Sequence, residues 1–407
     1  MTVTDSFRAE YEILTTGAGL LDRSERGKLA LSGAEAKQFL NGQVSQEILA
    51  LEPGHGAYAA FLTPKGKMLG DLRVLDSGEE LLLDTERPAL QELFNMVRRY
   101  SVGYQVELHK RTLEYGLLSV IGPNSEAVVR AAGGSLPGEP PLATAHVTDG
   151  PGGGGQISNI DQPADSGHIG GGPKTSGGEH DHLLTEIAGV STRVIRTDLG
   201  LDLLTPAAGL EQLRESLIAA GAVVVSEAAA ECLRIEQGRP RYAIDLDDSV
   251  IPQEAGLNAR AVSFTKGCYV GQETVARLFY RGKPNRELRG LRSATPLAVG
   301  TKLWLPAGED QPAGADAAGS GAEGTGETGA TADGTGTAGA DAARADAAGT
   351  SAATRAAREV GTITSASDSP RYGVIALALV RREAPPGSSV WAGDELVEVV
   401  ELPFREP

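Results

Sequence analysis

Residues 266–273 read KGCYVGQE, and no other stretch of the 407-residue chain tells more about its fold. The octapeptide holds Cys268, one of only two cysteines, close to Lys266 and just before residues 272–279, which have helical periodicity. Free N–H groups at a helix N-terminus and a nearby ammonium both stabilise a thiolate. The pattern predicts a reactive thiol, with a small buried residue in a tight turn as the alternative.

The glycines of the octapeptide, Gly267 and Gly271, indicate a turn in which the backbone closely approaches another segment. The second cysteine, Cys232, lies in an alanine-rich helical segment, and we expect it in the core. Two cysteines in so long a chain exclude a disulfide framework and suit a reducing compartment. With no basic, apolar leader at the N-terminus, we expect a cytoplasmic protein that does not enter a membrane.

Two tracts of low complexity stand apart from the rest. Residues 308–357 contain no Val, Ile, Leu, Met or aromatic residue, so we expect a disordered insertion. A glycine-rich loop is predicted at about residues 133–182, and its richest part, about residues 150–178, has His168, His180 and His182 in or beside it. Because no further ligand follows at a suitable spacing, we expect a solvated loop and no metal site.

The net charge of -17 argues against binding nucleic acid through phosphate neutralisation, so small molecules or proteins are the expected partners. Strand and helix patterns do not alternate regularly, which favours an α+β fold over a doubly wound sheet. The C-terminal strands predict a small β-barrel, with the insertion as one long hairpin loop. The expected strands are residues 27–32, 56–63, 68–75, 80–84, 113–121, 192–204 (two strands), 222–225, 299–305, 359–364, 371–380 and 395–401, and the expected helices are 34–41, 88–100, 207–220 and a helix capped by Ser226 that ends at Gln237.

The octapeptide, RIEQGRPRYAIDL at 234–246 and IPQEAGLN at 251–258 resemble the YgfZ branch of the folate-binding YgfZ/GcvT family. The resemblance extends over nearly everything outside the two tracts, including RGKLALSGAEAKQFLNGQ, LTPKGKMLGDLRV, ARLFYRG and VGTITSA at 26–43, 62–74, 276–282 and 360–366. It implies an aminomethyltransferase-like, three-domain body around a channel, with a folate-binding region over residues 1–285, built from two pseudo-related subdomains, and a C-terminal β-barrel over 286–407.

The resemblance also implies a function and a set of site residues. It implies a tetrahydrofolate-binding accessory protein that supports assembly or repair of iron–sulfur enzymes, notably [4Fe–4S] enzymes and tRNA-modifying ones. Independently of the resemblance, we expect a monomer. Cys268 and Lys266 are then the catalytic candidates, and Asp71, Asp202, Arg234 and Tyr242 the folate contacts. The remaining motif residues are Gly267, Tyr269, Gly271, Gln272 and Glu273.

Each folate contact has a chemical reason and a plainer alternative. Arg234 suits the glutamate tail, since its planar fork matches a carboxylate, but a salt bridge with Glu236 or a neighbour is the alternative. Tyr242 would flank the pterin, or simply pack in the core. Asp202 suits the pterin N–H donors, although Leu201 replaces the aromatic residue that precedes it in relatives. Asp71 is a ligand, or caps or pairs within the fold.

Two other functions stay open at this point. The first is a folate-dependent aminomethyl or one-carbon transferase of the glycine-cleavage type. Its relatives usually have an aspartate where this chain has Cys268, an arginine where it has Gln272, and adjacent aspartates where it has Gly70 and Asp71. The second is a folate-free adaptor that uses the KGCYVGQE loop as an interaction surface.

Overall fold

The computed structural model describes residues 3–139, 178–306 and 358–406. The predicted tracts 308–357 and 150–177, with His168, lie outside these ranges. The α-helices are α1 Val3–Thr16, α2 Ala36–Gln43, α3 Leu90–Tyr100, α4 Ser125–Ala131, α5 Leu210–Ala219, α6 Glu227–Glu236, α7 Asn258–Ala261 and α8 Gln272–Arg281. The strands are β1 Gly19–Asp22, β2 Gly27–Ser32, β3 Gly56–Leu62, β4 Met68–Asp76, β5 Leu81–Thr85, β6 Glu107–Lys110, β7 Tyr115–Ile121, β8 His182–Ile187, β9 Val190–Arg196, β10 Gly200–Pro206, β11 Val223–Val224, β12 Arg286–Ser293, β13 Lys302–Trp304, β14 Glu359–Ser369, β15 Gly373–Arg381, β16 Ser389–Ala392 and β17 Glu395–Val400.

Two sheets form the N-terminal part. One has five strands in the order β3-β4-β5-β2-β6, and α2 and α3 place Phe39, Leu40 and Leu93 on its core. The other has six strands in the order β11-β1-β7-β10-β9-β8, and α4 and α5 cover it with residues such as Val129 and Leu213. Apolar side chains from both sheets meet in a shared cluster of Ala30, Leu75, Leu82, Leu117, Ile195 and Leu204. The sheets therefore pack on each other. Because side chains alternate between the two faces of a strand, the chain neighbours of Ala30 and Leu82 instead point to the helix-covered core of the five-stranded sheet.

A closed barrel of six strands follows, in the order β12-β15-β14-β13-β16-β17. All of its pairings are antiparallel, and its interior is filled by residues such as Leu291, Ile363 and Val399. Since β13 and β14 are paired neighbours, the tract between them connects two adjacent strands, as predicted for a hairpin loop. The α+β class and the C-terminal barrel are thus confirmed.

The predicted elements agree with the structure in most places and differ in a few. The sequence patterns do not predict α1, α4, α7, β1, β6, β8, β12 and β16. Strand β12, with the sequence RELRGLRS, was hidden by its arginines, although Leu288 and Leu291 in it are buried. Ser226 does precede α6, but its side chain does not cap the helix, because its hydroxyl donates to Glu10 of α1.

The predicted solvated loop is wrong at its C-terminal end. His180 and His182 are buried, and β8 begins at His182. The backbone N–H of His182 donates to the carbonyl of Gly54 at 2.7 Å, which joins this segment to the loop before β3. Gly56 is required there, because a Cβ at this position would lie 2.7 Å from the His180 carbonyl oxygen.

Candidate functional site

All four predicted folate contacts line a single cavity of about 220 Å³ between the two sheets and α6. Asp71 comes from β4, Asp202 from β10, Arg234 from α6, and Tyr242 from the loop that follows α6. Other wall residues are mainly charged: Arg23, Arg26, Arg73, Asp84, Glu86, Glu179, Asp198, Glu227, Glu231, Arg239, Arg241 and Arg260. Segments far apart in the chain therefore converge on one polar chamber.

Asp71 is the acid with the most unusual environment. Its carboxylate is buried and accepts a hydrogen bond from the Tyr58 hydroxyl at 2.7 Å. Burial raises the pKa of Asp71 to about 6, although the Tyr58 hydrogen bond opposes the rise. The guanidinium of Arg260 lies over the Tyr58 ring, 5.2 Å from its centroid. A carboxyl group with such a pKa can exchange a proton near neutral pH.

Asp202 lies in an ion-pair chain that crosses between the sheets. Arg73 donates to Asp202 at 2.7 Å and to Asp84 at 2.8 Å, and Ser119 donates to Asp202 at 2.6 Å. Burial would raise the pKa of Asp84, but the guanidinium groups of Arg26 and Arg73 outweigh it and lower the pKa to about 2. Asp202 thus has a fixed orientation and keeps acceptor sites, because a carboxylate offers about four.

Arg234 lies on the cavity wall, but the chain itself occupies its donors. It pairs with Glu231 at 2.9 Å and Asp245 at 2.7 Å, and it donates to Ser365 of the barrel at 2.7 Å. The plainer alternative of a salt bridge is therefore present, with other partners than Glu236. Glu236 instead accepts hydrogen bonds from Tyr11 and Ser369.

Tyr242 is half-buried at the start of a tight loop and forms an isolated β-bridge with Leu246. The next residue, Ala243, has a left-handed φ of 67°. Its ring packs between two apolar clusters, one of which also holds Tyr269 of the octapeptide. Tyr242 therefore both packs in the core and lines the cavity.

Several wall residues were not singled out from the sequence, above all Tyr58, Arg73, Asp84, His180 and Arg260. Burial lowers the pKa of His180 to about 3, so its imidazole is neutral, and its Nδ1 is buried without a hydrogen-bond partner. Some of these residues could have been found as charged residues within apolar strands, because a charge in a buried strand needs a partner. Which residues are partners depends on the tertiary fold.

The octapeptide forms a loop that is held against two N-terminal segments. The Lys266 ammonium is buried and donates to the carbonyls of Asn41 at 2.7 Å, Val44 at 2.9 Å and Gln46 at 2.6 Å. Burial lowers the pKa of Lys266 to about 8. All three ammonium donors are used in this way, so Lys266 clamps the loop to the segment after α2.

The two glycines behave differently. Gly271 has a φ of 86°, and a Cβ there would lie 2.6 Å from the Thr63 carbonyl oxygen, so this position needs glycine as predicted. Around Gly267 the space is open and its φ is not left-handed, so the predicted close approach does not occur there. Gln272 begins α8, and Glu273 is exposed in its first turn.

Cys268 is exposed, whereas Cys232 is fully buried in α6 as predicted. Burial raises the pKa of Cys232 to about 12. Cys268 precedes the N-cap residue Gly271, so it lies ahead of α8 and not in its first turn. It is absent from the cavity wall, and the structure does not place the thiol with the four folate candidates. The two sites are connected through Tyr269, which packs in the same apolar cluster as Tyr58 and Tyr242.

Gly70 cannot be replaced by the second acid found in the transferases. A Cβ at residue 70 would lie 2.5 Å from the Phe61 ring and 2.7 Å from the Ala89 Cβ. In the described ranges, no cluster of three or more His, Cys, Asp or Glu side chains is suited to a metal ion. Over the same residues, no helix has the length and apolar character needed to cross a membrane.

Comparison with known proteins finds similarity to aminomethyltransferases and to YgfZ proteins. The family described as the GCVT N-terminal domain matches residues 1–136. A Yersinia enterocolitica protein named tRNA-modifying protein YgfZ is 28% identical over 294 residues, 72% of this chain and 76% of that protein. An aminomethyltransferase of Rubrobacter xylanophilus is 26% identical over 304 residues, 72% of each chain. A chloroplastic protein of Arabidopsis thaliana is 26% identical over 310 residues, 74% of this chain but 63% of its own length.

The fold has a solved counterpart. The glycine cleavage system aminomethyltransferase T from Bartonella henselae superposes with a TM-score of 0.68 at 18% identity, over 98% of this chain and 90% of that one. This similarity confirms the aminomethyltransferase-like fold. The chain is therefore similar in sequence to both aminomethyltransferases and YgfZ proteins, and its residues 1–136 match the GCVT N-terminal domain.

Proposed function

We propose that this chain is a tetrahydrofolate-binding accessory protein of the cytoplasm that supports assembly or repair of iron–sulfur enzymes, including tRNA-modifying ones. In this proposal Cys268 is the working thiol. One observation carries the folate part: Asp71, Asp202, Arg234 and Tyr242 were selected from separate segments, and all of them line one cavity. The relatives named above support the same family of functions.

Two acids of the cavity wall suit the bicyclic head of a folate. Asp71 and Asp202 supply carboxylate acceptors for the N–H donors of a pterin, and Tyr242 supplies an aromatic wall. The Nδ1 of His180, buried and without a partner, is a further polar atom that a bound head group could satisfy. When bound, tetrahydrofolate would supply one-carbon chemistry, and these residues would hold and orient it.

The fit is weaker for the rest of a folate. The cavity, about 220 Å³, is smaller than the roughly 300–1,000 Å³ usual for ligand sites. Because Arg234 is already paired with Glu231 and Asp245, it has no free fork for a glutamate tail. We therefore place only the head group inside, with the tail toward solvent.

The thiol part rests on exposure and positioning. Cys268 is open to solvent, so its sulfur can reach a protein partner, whereas a cysteine such as Cys232 cannot. The Lys266 clamp and the Gly271 turn fix the loop on the folate-binding body. Because Tyr269 packs with Tyr58 and Tyr242, a ligand in the cavity and the thiol loop share one apolar cluster.

The test is the activity of a [4Fe–4S] enzyme in cells that lack their own YgfZ-type protein. Cells supplied with this chain should recover the activity, and cells supplied with Cys268→Ala should not, although both proteins are folded. Cys232→Ala is the matched control and should restore activity. Equal recovery with Cys268→Ala would refute the thiol role, and no recovery with any folded form would refute the iron–sulfur role.

One observation favours a second function, transfer of an aminomethyl or one-carbon group. Asp71 lies in the folate cavity with a pKa raised to about 6, which suits a general acid or base at a folate amine. Against it, Gly70 leaves no room for a second acid. Methylenetetrahydrofolate formation from an aminomethylated carrier protein, lost in Asp71→Asn, would establish this function. A chain without measurable affinity for tetrahydrofolate would instead favour the folate-free adaptor.

A further inference from the structure

Helix α8 presents an unusual outer face directly after the thiol loop. Val275 is buried on its inner side, and Arg277, Tyr280 and Arg281 are exposed at the spacing i, i+3 and i+4. The Tyr280 side chain is 66% exposed, which is high for a large aromatic residue. This face therefore combines two cations with an accessible aromatic ring.

The charge of this face is opposite to that of the whole chain. From residue 272 to 283 there are three basic residues and one acidic one, whereas the net charge of the chain is -17. Lys283 is exposed beside Arg281, and neither these two nor Arg277 forms an ion pair with any residue in the described ranges. Elsewhere most described arginines pair with carboxylates, as Arg73 and Arg234 do. The α8 cations are thus available to an external anion.

A neighbouring turn adds to the positive surface. Gly66, with a φ of 76°, packs against α8, since a Cβ there would lie 2.8 Å from the Thr274 Cβ. Lys65, the residue before it, is exposed and has no ion-pair partner among the described residues. Thr274, Arg277 and Arg281 share one side of the helix, so the cations extend in a row from this turn.

The aromatic residues are held rigidly at the surface. Phe279 is 46% exposed and stacks on Phe264, with ring centroids 3.8 Å apart and planes inclined by 17°. Tyr280 meets the Phe279 ring edge-on at 5.0 Å. A supported ring next to a row of cations can stack a base while the cations neutralise phosphates.

We propose that the α8 face, defined by Lys65, Arg277, Tyr280, Arg281 and Lys283, binds a short single-stranded RNA segment. This proposal departs from the expectation, based on the net charge, that the chain does not bind nucleic acid, because basic residues are concentrated on this one face. The acidic remainder of the molecule restricts the contact to a few nucleotides. The choice of RNA over DNA rests on the proposed function, whose clients include tRNA-modifying enzymes.

The test is fluorescence anisotropy with a fluorescein-labelled, mixed-sequence 12-nucleotide RNA and the full chain, from 50 to 200 mM KCl. Each lost phosphate contact lowers the salt slope of log K by about 0.7, so Arg277→Gln/Arg281→Gln should lower it by about 1.4. Tyr280→Ala should weaken binding about 5- to 150-fold, the equivalent of 1–3 kcal/mol per stacked base.

Helix α3 provides a matched control. It ends in Arg98, Arg99 and Tyr100, which are also two exposed arginines and an exposed tyrosine, on another helix. Arg98→Gln/Arg99→Gln and Tyr100→Ala should leave the RNA affinity unchanged. Each α8 variant is checked for an unchanged circular dichroism spectrum and melting temperature.

Four results would overturn the proposal. They are no RNA binding at 50 mM KCl, equal losses in the α3 variants, equal affinity for duplex RNA or for DNA of the same sequence, and equal competition by a polyglutamate peptide. The last result would identify an acidic protein surface as the partner. None of these outcomes depends on an iron–sulfur client, so they are distinct from failure of the proposed function.

Discussion

Asp71→Asn should stabilise the protein at neutral pH, although it removes a residue of the candidate site. In the folded chain the pKa of Asp71 rises from 3.8 to about 6, because burial disfavours the charged carboxylate. Each pKa unit corresponds to 1.36 kcal/mol, so ionised Asp71 costs the native state about 3 kcal/mol. Asparagine keeps the size of the side chain and accepts the Tyr58 hydrogen bond, but it carries no charge.

The pH dependence of this effect has a definite sign. Between pH 3.8 and about 6 the native state binds more protons at Asp71 than the unfolded state does. The free energy of unfolding therefore falls as pH rises through this window, and the full penalty applies above it. The gain from Asp71→Asn should be about 3 kcal/mol at pH 7.5 and should shrink to about half of that at pH 5.

Asp84 on the adjacent strand is the matched control, since its environment has the opposite effect. Arg26 and Arg73 outweigh burial and lower its pKa from 3.8 to about 2, so the carboxylate stabilises the fold above pH 3.8. Asp84→Asn should cost about 2 kcal/mol or more at pH 7.5, and leaving the two arginines without their partner adds to this loss.

The assay is guanidinium unfolding of the wild type and both variants at pH 7.5 and pH 5, followed by circular dichroism. The reasoning is refuted if Asp71→Asn and Asp84→Asn destabilise the protein to a similar degree. It is also refuted if the gain from Asp71→Asn is the same at both pH values.

Three further predictions concern the thiol loop and the barrel. A chromogenic disulfide reagent should titrate one thiol in the native wild type and two in the unfolded wild type, but none in native Cys268→Ala. Two rapidly reacting thiols in the native wild type would contradict the buried position of Cys232. Lys266→Met removes the donors to three carbonyls, so amide hydrogen exchange at residues 41–46 and 263–271 should accelerate. If only the reactivity of the Cys268 thiol changed, Lys266 would act on that thiol and would not hold the loop in place. Replacing residues 308–357 by a four-residue Gly/Ser linker should keep the barrel folded and raise its unfolding free energy by about 2 kcal/mol, because the loop between paired β13 and β14 becomes shorter; loss of the folded barrel would contradict this.

Local patterns were enough to predict much of the fold. Strand β2 has the predicted bounds, Gly27 to Ser32, because its apolar residues, its preceding charged turn and the following Ser-Gly mark both ends. Helix α8 and the barrel strands β14, β15 and β17 were also found. Strand β8 was missed because a glycine-rich tract precedes it and its alternation is short. The start of β8 is held by a hydrogen bond to the loop before β3, a segment more than 100 residues away in the sequence.

Sequence motifs singled out four residues of the candidate cavity, but not the other wall residues and not the ion pairs and hydrogen bonds among them. Family motifs singled out Asp71, Asp202, Arg234 and Tyr242, and the fold brings all four to one cavity. That Arg234 is consumed by Asp245 and Ser365 depends on the contact between α6 and the barrel, which no local pattern encodes. The same holds for Lys266, whose carbonyl partners lie more than 200 residues earlier.

The most direct test of the central claim is a calorimetric titration of the full chain with tetrahydrofolate at pH 7.5, under reducing and anaerobic conditions. The account predicts saturable binding at one site per chain. It also predicts a loss of about tenfold or more in Tyr242→Ala, from the lost aromatic wall, and no change in Cys268→Ala, whose side chain lies outside the cavity. The absence of binding by the folded wild type, or unchanged affinity in Tyr242→Ala, would contradict the assignment of this cavity as the folate site.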